Sequence, residues 1–176
     1  MQVRDLVLAV GLAFVAAGCI SGSAAPRTTG GFAPGAPLIP LASCPVTLPN
    51  HVVPKDTPAF TAESFAFRNR WLGTRLWPKG VLKVGRLPDG GSYASVRSDG
   101  WIYAKQGWWR SAHGRLRVFG QRLDRAAPKL RADVPSGYGN FGFEPVGLLF
   151  PSIGCWKVTG SIGDRRLVYV VRLAPA

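Results

Sequence analysis

From Cys44 onward, apolar and polar residues alternate with a period of two in short runs, and Pro and Gly punctuate them. That is the pattern of half-buried β-strands. It predicts strands over Arg75–Trp77, Val81–Arg86, Trp101–Trp109, Arg115–Arg122, Lys129–Asp133, Phe141–Phe150, Cys155–Gly160 and Arg166–Leu173. Turn chemistry separates most of them: Pro88-Asp89-Gly90-Gly91, Ser98-Asp99-Gly100, His113-Gly114, Pro135-Ser136-Gly137, Pro151 with Gly154, and Gly163-Asp164. No window carries a 3.6-residue apolar stripe. Pro58 to Phe67 offers at most one helical turn, starting at Thr61-Ala62-Glu63-Ser64. Seven or eight short strands in about 130 residues predict an all-β domain and fit an antiparallel β-sandwich.

Strand parity assigns faces. Trp156 and Val158 share one face and form the core side, whereas Cys155, Lys157 and Thr159 share the other. Trp108 and Trp109 must point oppositely. Trp101, Tyr103 and Trp109 then fall on one side of their strand, with Ile102, Ala104 and Trp108 on the other. An exposed aromatic row stacks sugar rings in many β-sandwich modules, although a small domain commonly buries such residues. The stretch Phe150-Pro151-Ser152-Ile153-Gly154-Cys155-Trp156-Lys157-Val158-Thr159-Gly160, followed by Arg165 to Leu173, resembles the closing F–G hairpin of immunoglobulin-like domains. The resemblance implies an immunoglobulin-like sandwich. Cys155 would lie at the strand's entrance and face away from the core.

The N-terminus carries an address. Arg4 precedes an apolar run from Leu6 to Ala17, which suits a signal h-region and is short for a membrane span. Its ending, Ala16-Ala17-Gly18-Cys19, resembles the lipobox of bacterial lipoproteins, with Ala16 where Leu is commonest. The resemblance implies that residues 1–18 are removed, that the thiol of Cys19 receives a diacylglyceryl group, and that the chain is held at the extracytoplasmic face of a bacterial membrane. Two alternatives stand beside it: cleavage after Ala25, which would release a secreted protein, and an uncleaved anchor. Residues 19–43 hold the lipidated cysteine and a tether rich in Gly, Ser, Ala and Thr, with Pro26, Pro34, Pro37 and Pro40 spaced through it. Residues 44–176 form the folded domain. With Cys19 lipidated, Cys44 and Cys155 remain to pair in an oxidising compartment; the alternative is two buried free cysteines. Their bond would staple the N-terminal segment to the sandwich.

Composition narrows the class. The chain has 176 residues, 47% of them hydrophobic and 18% charged, enough for one packed domain and against wholesale disorder. Lys and Arg number 22 against 9 Asp and Glu, a net charge of +13, and loss of Arg4 with Asp5 leaves that balance unchanged. Such a charge points to anionic partners. Export removes nucleic acid from the candidates and leaves membrane lipid, an anionic envelope polymer, a glycan or a protein. Arg115 and Arg117, Lys129 and Arg131, and Arg166 and Arg172 recur at outward parity, as on a cationic sheet face; solubility alone explains the same pattern.

No catalytic constellation emerges. Gly137-Tyr138-Gly139-Asn140-Phe141-Gly142 matches G-x-G-x-x-G literally, but Pro135 and Pro145 flank it and no helix is predicted after it, so a Gly-rich turn is the better reading. His51 and His113 are isolated, and no Cys or His pair has zinc spacing. The sequence therefore predicts no catalytic residue, metal or cofactor. It predicts a lipid-anchored, non-catalytic binding or interaction module of the cell envelope. The rival is a carbohydrate- or wall-polymer-binding module using Trp101, Tyr103 and Trp109, with a hydrolase third.

Overall fold

A computed structural model describes residues 38–52, 67–86 and 93–176. Ten strands follow one another: β1 (Phe67–Arg68), β2 (Leu72–Thr74), β3 (Val81–Val84), β4 (Ala94–Val96), β5 (Ile102–Arg110), β6 (Arg117–Arg122), β7 (Arg131–Asp133), β8 (Gly142–Phe150), β9 (Gly154–Ile162) and β10 (Arg165–Pro175). The domain is all-β, as the two-residue alternation predicts. Two differences from the predicted strands have local causes. Residues 75–77 leave the ladder because the Arg75 carbonyl accepts a hydrogen bond from the Gln106 side chain at 3.0 Å, and Pro78–Gly80 then form a 3-10 turn. The short strands β1, β2 and β4 carry too few residues to show a period. The turns expected at Pro58–Phe67 and Pro88–Gly91 lie outside the described residues, except for Phe67, which opens β1.

The strands form one mixed ten-stranded sheet. Two of its pairings are parallel, β3 with β10 and β3 with β4. From β8 the pairing runs through β5, β4, β3, β10, β9 and β6. On its other edge β8 pairs β7, and a bridge from Leu130 to Gly120 of β6 closes the circuit. Eight strands thus make a ring, and β2, extended by β1, continues the edge of β5 beyond β4. The sheet is mixed, not purely antiparallel as expected, and its pairing closes into a small barrel; an immunoglobulin-like sandwich is not confirmed. The β9–β10 hairpin is present as the sequence suggests, from Arg165↔Ile162 to Leu173↔Gly154. What local alternation cannot encode is that β3 lies parallel to β10 and that β6 meets the segment before β7.

An eight-stranded ring is just wide enough for side chains to fill. Ile102, Ala104, Gln106, Trp108 and Arg110 all point inward from β5. Trp108, Trp156, Tyr169 and Phe150 are the bulkiest aromatic plugs, each at most 1% exposed. Phe150 meets Trp156 edge-on with centroids 5.5 Å apart, and Tyr169 lies 6.2 Å from Trp108. The Tyr169 hydroxyl donates to Gln106 Oε1 at 2.6 Å. Burial pushes this phenol well above its ordinary range, against the weaker pull of Gln106.

Each end of the ring is tied by a buried ion pair. At one end Arg122 grips Asp124 through two 2.8 Å contacts, Asp124 Oδ1 also accepts the Cys155 amide at 2.9 Å, and Arg122 Nη1 donates to Ser152 Oγ at 2.7 Å. A Cβ at Gly154, whose φ is +144°, would collide with the Arg122 guanidinium, so glycine meets both a steric and a backbone demand there. Cys44 and Cys155 form a disulfide with Cα atoms 5.6 Å apart. Cys155 points away from the lumen yet is fully covered, which is the staple expected from strand parity. The staple's other strap is chain residues 38–47. The Ile39 amide donates to the Leu123 carbonyl at 3.1 Å, and the Thr47 amide donates to the Val170 carbonyl at 2.9 Å.

Candidate binding surfaces on the barrel exterior

Because the lumen is occupied, the exterior and the ends hold the surfaces open to a ligand. Trp101, Tyr103 and Trp109 point outward from β5 and all three are half-buried. They do not make a clean stacking row. The Arg131 guanidinium lies 4.2 Å above the Trp101 ring, a cation–π cover. Tyr103 folds over Gly147 of β8, where a Cβ would come 2.9 Å from its ring. Trp109 stands opposite Phe143 in the β5–β8 register. From there the exposed aromatics continue: Tyr138 meets Phe143 edge-on at 6.2 Å, and Phe141 stacks on His113 at 4.9 Å. Sequence reasoning missed Tyr138, Phe141 and Phe143. Their signal was available, since all three are large aromatics in or next to a glycine-rich run that cannot bury them.

That run, Gly137 to Gly142, is a loop leading into β8, not the start of a helix. Arg110 holds it. Its guanidinium, 1% exposed, donates to the carbonyls of Tyr138 (2.8 Å), Gly139 (3.0 Å), Phe141 (3.3 Å) and Gly142 (3.3 Å), and pairs with Glu144 Oε2 at 2.8 Å. A cavity of about 550 Å³ opens above this pair, with Arg115, Ser136 and Asn140 on its wall. Glu144 is the one carboxylate lining it, and Arg110 already engages that group.

The six basic residues expected on one face divide into three places. Arg115 belongs to the cavity above Arg110, and Arg131 covers Trp101. Arg172 is exposed on β10 opposite Cys155 and Val81. Arg117, Lys129 and Arg166 remain together on the outer wall of β6, β9 and β10, joined by Lys157. Cross-strand register arranges this wall in rows. Ser161 sits between Arg117 and Arg166, and Thr159 between Phe119 and Val168. A basin of about 320 Å³ is lined by Lys129, Lys157, Arg166, Thr159, Phe119 and Val168 and contains no carboxylate. None of the three cations forms an ion pair with a described residue. Arg110, Arg122 and Arg97, by contrast, each have a carboxylate partner.

Cys19 lies outside the described residues. Among the described residues, no three His, Cys, Asp or Glu side chains gather into a metal-binding group. Comparison of the chain with protein-family models, curated proteins and solved structures finds no match.

Proposed function

We propose that this chain is an exported bacterial lipoprotein whose barrel acts as a non-catalytic binding module at the cell envelope, held to a membrane by lipid on Cys19. The single observation that supports the binding reading is the contrast between inside and outside. The lumen is packed with Trp108, Trp156, Tyr169 and Phe150, whereas the outer wall bears cations that no described carboxylate neutralises. A plugged barrel offers a ligand its wall and rims, and this wall suits an anionic partner. The sequence ending Ala16-Ala17-Gly18-Cys19 supports the anchor, and the Cys44–Cys155 disulfide accords with an oxidising compartment.

A second reading, recognition of a glycan, is favoured by one observation: Phe143, Tyr138 and Phe141 are each between 42% and 48% exposed and extend the outward line from Trp109. On this reading the sugar-stacking surface has moved from Trp101 and Tyr103 toward the Gly-rich loop.

Cell fractionation tests the anchor. The wild-type chain should sediment with membranes, and Cys19→Ser should lose lipidation and leave the diacylglyceryl-bearing pool. A wild-type chain recovered in the soluble fraction without lipid would contradict the proposal.

A further inference from the structure

We infer that the basin between β6, β9 and β10 is a seat for the phosphate of an anionic phospholipid headgroup, by which the barrel lays this wall on a membrane surface. The inference rests on the envelope reading above and assigns it a surface and a ligand class.

Four observations converge. First, Lys129, Lys157 and Arg166 surround one cavity with no carboxylate in its lining, so an anion entering it meets only favourable charge. Thr159, a residue only 6% exposed, is part of the same lining. Second, the same basin is flanked by Phe119 and Val168, exposed at 47% and 44%. A hydrated polymer gains little from an exposed Phe and Val. A bilayer interface takes apolar side chains at the headgroup level with basic residues around them. Third, Phe119 and Val168 share one cross-strand row, flanking Thr159, and Arg117 and Arg166 flank Ser161 in the next. The apolar pair and the cations therefore face the same way on a rigid sheet. Fourth, the strap of residues 38–47 holds this wall in place: Ile39 is bonded to Leu123, just past β6, and Thr47 to Val170 on β10.

The test uses the mature chain, residues 19–176 with Cys19→Ser, which carries neither the apolar run nor the lipid, in sedimentation with vesicles of phosphatidylcholine alone or mixed with phosphatidylglycerol. The parent should bind the mixed vesicles and not the neutral ones. Lys129→Gln, Lys157→Gln and Arg166→Gln together should weaken that binding by on the order of 100-fold. A matched triple loss of charge elsewhere, Lys79→Gln, Arg97→Gln and Arg125→Gln, should change it only a few-fold. Phe119→Ser with Val168→Ser should weaken vesicle binding and leave binding of soluble polyphosphate unchanged. Equal effects of the two charge triples would overturn the site and reduce the attraction to net charge. Binding of polyphosphate as tight as that of vesicles, with no effect of the Phe119 and Val168 changes, would overturn the lipid assignment in favour of a polymer. Unaltered thermal melting of each variant establishes that it is folded. Lipid on Cys19 is read separately from the mass of the wild-type chain, so failure of the anchor and failure of the basin give different results.

Discussion

The ring of Trp108 lies against the bare backbone of Gly160, across the lumen from it: a Cβ at Gly160 would collide with the far edge of the indole. Two strands that do not pair, β5 and β9, are thereby matched in shape, the largest side chain to the absence of one. Gly160 has no positive φ, so the demand is purely one of space. Gly160→Ala should cost about 1–3 kcal/mol, the usual penalty for overfilling a tight core. In Trp108→Phe the same substitution should cost less, and urea unfolding of the double-mutant cycle would measure the coupling. Additive effects would mean that the two positions do not share the space.

The Cys44–Cys155 bond closes a separation of 111 residues, so its loss should release much unfolded-state entropy. Replacing both cysteines by Ala is expected to lower stability by about 2–5 kcal/mol. The barrel itself should remain, because the ring is closed by strand pairing and not by the bridge. The guanidinium midpoint should fall while the near-ultraviolet circular dichroism of the packed tryptophans persists.

Asp124 gives the fold an acid limit. The Arg122 side chain, and then the Cys155 amide, hold its carboxyl down at about 2, against an ordinary 3.8, despite the opposing effect of burial. A group whose folded pKa is depressed stabilises above its unfolded value and loses that contribution as pH falls through the folded one. Asp124 should thus contribute about 2 kcal/mol above pH ~4 that disappears toward pH ~2. Asp124→Asn should be less stable than wild type at neutral pH, and the gap should narrow over that window. A gap independent of pH would remove the assignment.

Tyr169 sets the opposite limit. Its phenol is pushed above the ordinary 10.0 by burial, so the folded state keeps a proton that the unfolded state loses. Stability should be intact below pH 10 and decline as pH rises beyond it. Tyr169→Phe should cost about 1–3 kcal/mol at neutral pH, since Gln106 Oε1 loses its donor, and should flatten the alkaline decline. Phenolate absorbance followed with pH would show one tyrosine titrating only as the chain unfolds.

The legible and the illegible parts of this fold divide by range. Local alternation was enough to place β5, β6, β8, β9 and β10 within a few residues, to turn Trp156 and Val158 inward, and to turn Cys155 outward. It could not reveal that β3 runs parallel to β10 or that Leu130 meets Gly120, because neither pairing leaves a mark on nearby residues. The candidate surfaces divide the same way. Outward parity put Arg117, Lys129 and Arg166 on a cationic face, and the three lie together on the wall of β6, β9 and β10. It could not show that Lys157 joins them, that Arg131 is spent on Trp101, or that Arg115 belongs to the other end. Arg110 read as one more basic residue, although it is buried and organises the Gly-rich loop. Nothing short of its inward parity beside Trp108 distinguishes it.

The central claim, an envelope-anchored and internally stapled barrel, is tested most directly by the intact mass of the mature protein from the membrane fraction, with and without reductant. The expected chain begins at Cys19, carries the added mass of a diacylglyceryl group, and gains two hydrogens on reduction. A lipid-free chain beginning at Pro26 would contradict the anchor, and an unchanged mass on reduction would contradict the staple.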